Sequence, residues 1–384
     1  MIYFDNAAST KVDDEVLKSM QPYFSLNYGN ASSIHEMGQI AKEALEKARK
    51  TIADSINALP EEIIFTSGGT ESNNFAIKSI AFSNKKKNHI ITSKVEHDCV
   101  LGSCKWLELQ GFKVTYLDVD KFGAVNPEDV KKAITKKTCL VTIMHANNEV
   151  GTINNIAEIG KICRKAKVYF HSDACQSYTK VPIDVKEMNI DLLTINSHKI
   201  HGPKGVGALF IKKSTKITAW QNGGGHEFGL RSGTENVSGI VGFAKSVEIS
   251  DKKNIEAMAK LRDYLIEKII AEIPDVKLNG ATGIDRLCNN VNFSFIGIEG
   301  EGILLMLSEK GFMVSTGSAC SSTSLKASHV LLAMGLKHAV AHGSIRFSLS
   351  KYNNKGEIDL LVKELKPIIA KLREMSPLYK EMKK

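Results

Sequence analysis

Apolar and alanine positions between Glu36 and Asn57 (Met37, Ile40, Ala41, Ala44, Leu45, Ala48 and Ile52) recur at spacings of three and four, the signature of an amphipathic helix. Beyond it the pattern turns into short apolar runs separated by further helical periods. The runs at 63–66, 89–93, 113–117, 139–144, 168–171, 191–196 and 206–211 read as strands, and the stretches at 74–82, 100–110, 127–135 and 156–165 read as intervening helices. Strands this apolar, alternating with helices, predict α/β architecture: a mostly parallel seven-stranded sheet covered by helices. Such sheets gather ligands at the carboxyl ends of their strands.

The rhythm changes near Glu248. A long polar helix at about 254–272 is followed by a strand at 289–295, a helix at 301–310, a Ser- and Gly-rich stretch, a strand at 344–349 and a helix from 357 to about 375. The expected organisation is a large domain at 13–250 and a smaller α+β domain built from 251–384 and residues 1–12. The lysine-rich tail after Pro377 reads as frayed or as a docking site. No period of 20 to 50 residues repeats, which excludes solenoids and propellers.

Composition narrows the class. A chain of 384 residues, 43% hydrophobic and 24% charged, has ordinary globular values and room for two or three domains. The longest apolar runs, such as Val330 to Leu336, fall far short of the ~20 residues a membrane helix needs, so no membrane partner is expected. The amino terminus lacks the basic-then-apolar pattern of a secretion signal. The seven cysteines (99, 104, 139, 163, 175, 288 and 320) form no CxxC pair, which predicts free thiols in a reducing, cytoplasmic compartment and no metal site. The net charge of +9 is not gathered into a basic block, so no nucleic-acid partner is expected, although nine basic residues oppose five acidic ones from Lys351 to the end.

The candidate chemistry lies just past the strand ends. Lys199, in NSHKIHGPKG, follows the sixth strand, and a partly desolvated lysine there can lose its proton and form an imine with an aldehyde. Asp173 and Gln176, in HSDACQS, could pair with a protonated ring nitrogen and donate to a ring oxygen. Asn147 and Asn148 offer amides at the same edge. Ser67, Gly68, Gly69 and Thr70 can bring backbone amides to a phosphate at the positive end of a helix. The spacing there is neither GxGxxG nor a Walker loop. His97 could lie against a planar ring or shuttle a proton. A phosphate cup, a stacking histidine, an Asp and a Lys together suit pyridoxal phosphate better than a nicotinamide.

In order and over nearly the whole chain, SGGTESNN, Glu96-His97, NNEVG, DACQS, SHKIHGPKG, GGGHEFGLRSGTEN and GSACSS resemble the cysteine desulfurases among the fold type I pyridoxal-phosphate enzymes. The longer stretch around Cys320 is similar to the branch that supplies iron-sulfur assembly. The resemblance implies conversion of L-cysteine to L-alanine, with sulfur left on Cys320 as a persulfide. It assigns Lys199, Cys320 and His97 to catalysis, with His97 taking the thiol proton. It places Gly69, Thr70, Asn196 and His198 on the phosphate, Asp173 on the ring nitrogen, and Asn148 and Gln176 near the ring oxygen. It also puts Arg346, with Asn148, on the substrate carboxylate, and Thr234 on the phosphate of a neighbouring subunit, hence a homodimer. Family members commonly have Ser where this chain has Asn196, whose amide can still donate. Ser315 to Lys326, small and polar, is expected to be a mobile loop carrying Cys320. The implied acceptor is an iron-sulfur scaffold or another sulfur carrier, with tRNA thiolation behind it. An aminotransferase or selenocysteine lyase of the same fold is the alternative.

Overall fold

A computed structural model describes residues 1–84, 86–316 and 327–382. The main sheet contains strands β2 to β8, which follow a two-residue strand β1 (Ile2–Tyr3): β2 (Ile63–Thr66), β3 (His89–Ser93), β4 (Lys113–Leu117), β5 (Thr138–Thr142), β6 (Tyr169–Asp173), β7 (Leu192–Asn196) and β8 (Gly207–Ile211). Their spatial order is β2-β8-β7-β6-β5-β3-β4. β3 to β7 run parallel, while β8 is antiparallel to both β7 and β2. Every residue of β2, β3, β5, β7 and β8 is buried, the expected result of covering both faces with helices.

Two apolar layers sandwich this sheet. One contains Ala41, Leu45 and Ile52 of the helix Glu36–Asp54 with Phe65, Val141, Phe170, Leu193 and Phe243. The other contains Phe75, Ile77 and Ile80 of the helix Gly69–Ser83 with Val100, Cys104, Leu140 and Leu209. Helix starts carry the expected side-chain caps, such as Asn155 on Glu158 N and Asn236 on Gly239 N.

The C-terminal third adds β9 (Val276–Leu278), β10 (Asn290–Phe295), β11 (Phe312–Met313) and β12 (Ser344–Ser348). β12, β10 and β9 form an antiparallel sheet, and β1 pairs with β11. The helices Lys252–Glu272, Gly300–Glu309 and Lys355–Met375 cover it. Phe4 lies in the same core as Leu265, Phe293, Ile303, Phe347 and Leu361. The first residues are thus tied to the end of the chain: Phe4 N donates to Met313 O and Ser348 N to Phe4 O.

The tail departs from the frayed expectation. Pro377–Met382 is a short helix, with Arg373 packed 4.8 Å from the Tyr379 ring centre and Tyr379 Oη donating to Asp275 at 2.5 Å. Ser376, whose Oγ donates to Gly297 O at 2.5 Å and accepts Tyr379 N at 3.2 Å, helps hold the segment against the domain. Residues 383 and 384 lie outside the described residues. Among the described residues, no helix is long and apolar enough to cross a membrane.

Candidate active site

The carboxyl ends of β2, β3, β5, β6 and β7 point to one edge of the sheet, and each delivers part of the site. β6 runs two residues further than the apolar run suggests, so Asp173 is its last residue. The Asp173 carboxylate, 6% exposed, accepts Cys175 N on one oxygen at 2.8 Å and Asn73 Nδ2 on the other at 2.6 Å. Gln176, three residues on, donates one Nε2 hydrogen to the Ala7 carbonyl at 3.0 Å, leaving its second Nε2 hydrogen and its oxygen for a ligand.

β2 ends in the glycine cup. Gly68 has φ +151°, a region open to glycine, and the helix begins at Gly69, five residues before its periodicity does. A Cβ on Gly69 would stand 2.6 Å from Cys175 Sγ and 3.4 Å from Asn196 Nδ2, so the last residue of β7 comes up against the helix start. Asn196 Oδ1 is buried without a partner. The first amides of a helix have no partner within it, and Asn196 Nδ2 stands beside this helix start as a further donor, a setting suited to a phosphate ester. Thr70 is exposed at its rim.

His97 follows β3 and caps the helix Asp98–Leu109, its Nδ1 accepting Cys99 N at 3.2 Å and lying 3.1 Å from Cys99 Sγ. Burial pushes its proton affinity down. The Asp173 carboxylate opposes this, and the Lys199 ammonium adds to it. Lys199 itself lies in the turn between β7 and β8 and is half-buried. The adjacent His198 is pushed down to about 4, by burial first and then by Lys199, Lys204 and Lys180, and its Nδ1 lies 3.3 Å from Ser9 Oγ.

Arg346 comes from β12 of the second sheet. It is 4% exposed, donates from Nη1 to Asn148 O at 2.9 Å and from Nη2 to Asp5 at 2.9 Å, and its Nε is buried without a partner. The backbone of Ser315 pairs with that of Arg346. Asn147 is taken up in the local turn, with Nδ2 on Val95 O and Oδ1 accepting Glu149 N and Val150 N, whereas Asn148 stays half-buried at the edge. Thr234 is exposed, three residues beyond Arg231, whose ion pair with Glu71 ties that loop to the helix of the cup.

Cys320 and its stretch from 317 to 326 lie outside the described residues. The other six cysteines are free thiols. Burial pushes Cys104 and Cys163 up to about 12 and Cys139 up to about 11, and it also raises Cys288. Cys99 at about 12 and Cys175 also stand beside the Asp173 carboxylate, which adds to the effect of burial. All six are poor nucleophiles near neutral pH.

Sequence reasoning gives no role in the site to Asn73 or Lys180, places Glu96 only within a motif, and reads Cys99 and Cys175 as ordinary thiols. Asn73 is wholly buried and bonds both Asp173 and Cys99. It stands in a polar stretch before the apolar period begins, so no period marks it.

A family model for aminotransferase class-V matches residues 2–361. Cysteine desulfurase IscS of Clostridium botulinum (strain Hall) is 51% identical over 100% of this chain and 98% of the relative, and that of Methanosarcina thermophila is 51% identical over 98% and 94%. Among solved structures, a NifS-like protein superposes with a TM-score of 0.90 at 40% identity, covering 97% of this chain and all of the other. A structure described as SspA in complex with cysteine superposes at 0.83 with 41% identity, covering 92% and 100%. With the lysine, the carboxylate and the glycine cup on one sheet edge, the chain belongs to the aminotransferase class-V family, among its cysteine desulfurases.

Proposed function

We propose that this protein is a pyridoxal-phosphate-dependent cysteine desulfurase that converts L-cysteine to L-alanine and takes the sulfur onto Cys320 as a persulfide. The observation that carries the reading is the meeting of the Gly69 cup, Asp173 and Lys199 at one sheet edge opposite Arg346. The residues fit the cofactor. The absent Cβ of Gly69 lets the helix start lie close to Asn196, whose Nδ2 can donate to a phosphate, and Asp173 holds a fixed carboxylate. Gly69, Thr70, Asn196 and His198 would hold its phosphate, Asp173 its ring nitrogen, and Asn148 and Gln176 the neighbourhood of its ring oxygen, with His97 against the ring. Thr234 would reach the phosphate of a second subunit. When bound, pyridoxal phosphate supplies a sink for the electron pair left when a proton leaves Cα.

The chain's own groups do the rest. The Arg346 guanidinium orients the substrate carboxylate with the help of Asn148. Lys199 would carry the cofactor and, as a free amine, holds the α proton at its Nζ. His97, kept neutral by burial, takes the Cys320 thiol proton, because a thiol near its ordinary value of ~8.5 is mostly protonated at neutral pH. The Cys320 thiolate attacks the substrate sulfur: an S–S bond forms, the Cβ–S bond breaks with its electron pair going to carbon, and reprotonation there gives alanine.

The division of the chain into 13–250 and 1–12 with 251–384 is part of this reading, supported by Phe4 in the second core. A homodimer is supported by the exposed apolar residues Phe24, Leu26, Tyr28 and Ile34 within one short stretch, at 62% to 95% exposure. Free thiols suit a cytoplasmic setting. The acceptor we propose is an iron-sulfur scaffold or other sulfur carrier, with tRNA thiolation as a further outlet.

Persulfide and alanine formation from L-cysteine test the assignment in wild type, Cys320→Ala and Lys199→Ala. The expected result is a cofactor band without persulfide in Cys320→Ala, and loss of both band and turnover in Lys199→Ala. Unchanged alanine and sulfide release by Cys320→Ala would overturn the nucleophile assignment. A strong preference for selenocysteine over cysteine would favour the lyase.

A further inference from the structure

Lys180 stands behind the site, on the turn that follows β6. Its Nζ donates to two backbone carbonyls, Gln176 O and Lys199 O, each at 3.1 Å. One hydrogen-bonding group therefore joins the Asp173–Gln176 turn to the turn that carries Lys199. Each of these turns holds a non-glycine residue in the left-handed region, Thr179 at φ +61° and His201 at φ +66°. Side chains rarely adopt that conformation unless surrounding contacts impose it. The Lys199 turn is tight as well, since a Cβ on Gly202 would stand 1.9 Å from Ser197 Oγ.

The charges around Lys180 are unusual. No carboxylate among the described residues pairs with it within 4 Å. The titratable groups facing it are Lys199, Cys175 and Cys288, and it acts in turn on His198 and His201. It lines a cavity of about 50 Å³ together with Lys199, His201, Asp251 and Lys351, the last of which is already bonded to Asp13. On the other side, Lys199 acts on His97 and Cys175.

We propose that Lys180 is a positioning residue for Lys199: it clamps the two turns together and sets a second positive charge against the Lys199 amine, so that the amine is more readily held without a proton. This rests on the proposed role of Lys199. Burial is the larger cause of the push that brings Lys180 down to about 8, and the Lys199 charge adds to it; that charge–charge repulsion acts on both lysines alike. A lysine that must take the substrate's α proton has to begin as a free amine.

The test is a pH titration of the visible absorbance of the full-length, cofactor-loaded protein, comparing wild type, Lys180→Arg, Lys180→Met and Lys180→Gln. Circular dichroism reports the fold in each. Lys180→Arg, which keeps the charge, is expected to titrate with wild type below about pH 8, where Lys180 itself is still charged. Both neutral variants are expected to titrate at higher pH, by about one pH unit. The pH profile of kcat should move in parallel. A purely structural lysine would lower the melting temperature or cofactor affinity in the neutral variants and leave the midpoint where it was, which would overturn the proposal. If Lys180→Met does not fold, Lys180→Gln gives the same reading. If neither neutral variant folds while Lys180→Arg titrates away from wild type, the proposal is likewise overturned. A wild type with no lysine-linked band at all would instead refute the role of Lys199.

Discussion

Replacing Arg346 removes the only cation that the second sheet is proposed to lend to the substrate, and the structure sets the size of the effect. Two of its nitrogens are held, Nη1 by Asn148 O and Nη2 by Asp5, while Nε is buried and unpaired. The side chain is thus fixed before substrate arrives, with Nε and the remaining Nη hydrogens available to a carboxylate. Two charge-assisted hydrogen bonds, each about 1.5–3 kcal/mol, come to about 3–6 kcal/mol lost in Arg346→Ala. At about 1.4 kcal/mol per tenfold, kcat/KM for L-cysteine falls roughly a hundredfold to ten-thousandfold. Arg346→Lys keeps the charge and loses the planar fork, so about one bond is lost and kcat/KM falls about tenfold to a hundredfold. The assay is steady-state alanine formation over a range of L-cysteine concentrations. Asp5 loses its partner in the alanine variant, so Asp5→Asn/Arg346→Ala serves as the control for the stranded carboxylate, which is 20% exposed. If Arg346→Ala keeps kcat/KM within about threefold of wild type at an unchanged melting temperature, the carboxylate assignment is wrong.

Two further predictions concern buried charge. Arg49 and Glu227, each 3% exposed, form a two-point ion pair at 2.8 Å, and the same carboxylate accepts Phe65 N of β2; Arg49→Met strands it and should cost about 3–5 kcal/mol in urea unfolding, with Arg49→Met/Glu227→Gln recovering part. A loss below about 1 kcal/mol in the single variant would contradict this. Glu96 is wholly enclosed, and burial pushes its carboxyl up to about 8 against the bonds from Ser93 and Met144 N. The native state therefore binds a proton that the unfolded state has released above its ordinary value of 4.5. Stability from this group is fully present below pH 4.5 and is lost as pH rises towards 8. Melting temperatures of Glu96→Gln should fall less steeply than wild type over that window, and an identical slope would count against the linkage.

Much of the architecture was legible from periodicity. Three of the seven main strands begin and end where their apolar runs do, at 63–66, 89–93 and 113–117, and the wholly buried β5, β7 and β8 lie within two residues of theirs. The errors have a common cause. β6 extends to Asp173 and the cup helix starts at Gly69 because their polar ends are held by tertiary bonds, Asn73 to Asp173 and Ser72 to Thr66. A hydrophobic pattern cannot register such bonds. The two-residue strands β1 and β11 are too short to have a period and exist through each other.

The sequence by itself determined the alternation of strands and helices, the family through the order of its motifs, and the absence of any CxxC pair among the seven cysteines. These depend on local pattern and residue type, which a linear chain carries in full. The tertiary structure alone decided which groups are charged and which are held. Burial is set by elements far apart in the chain, as when Asp5 and Asn148 fix Arg346 across 341 and 198 residues. It likewise left Cys99 and Cys175 beside the Asp173 carboxylate, where desolvation and like charge suppress the thiolate, and brought Lys180 against Lys199 through a carbonyl that no side-chain motif records.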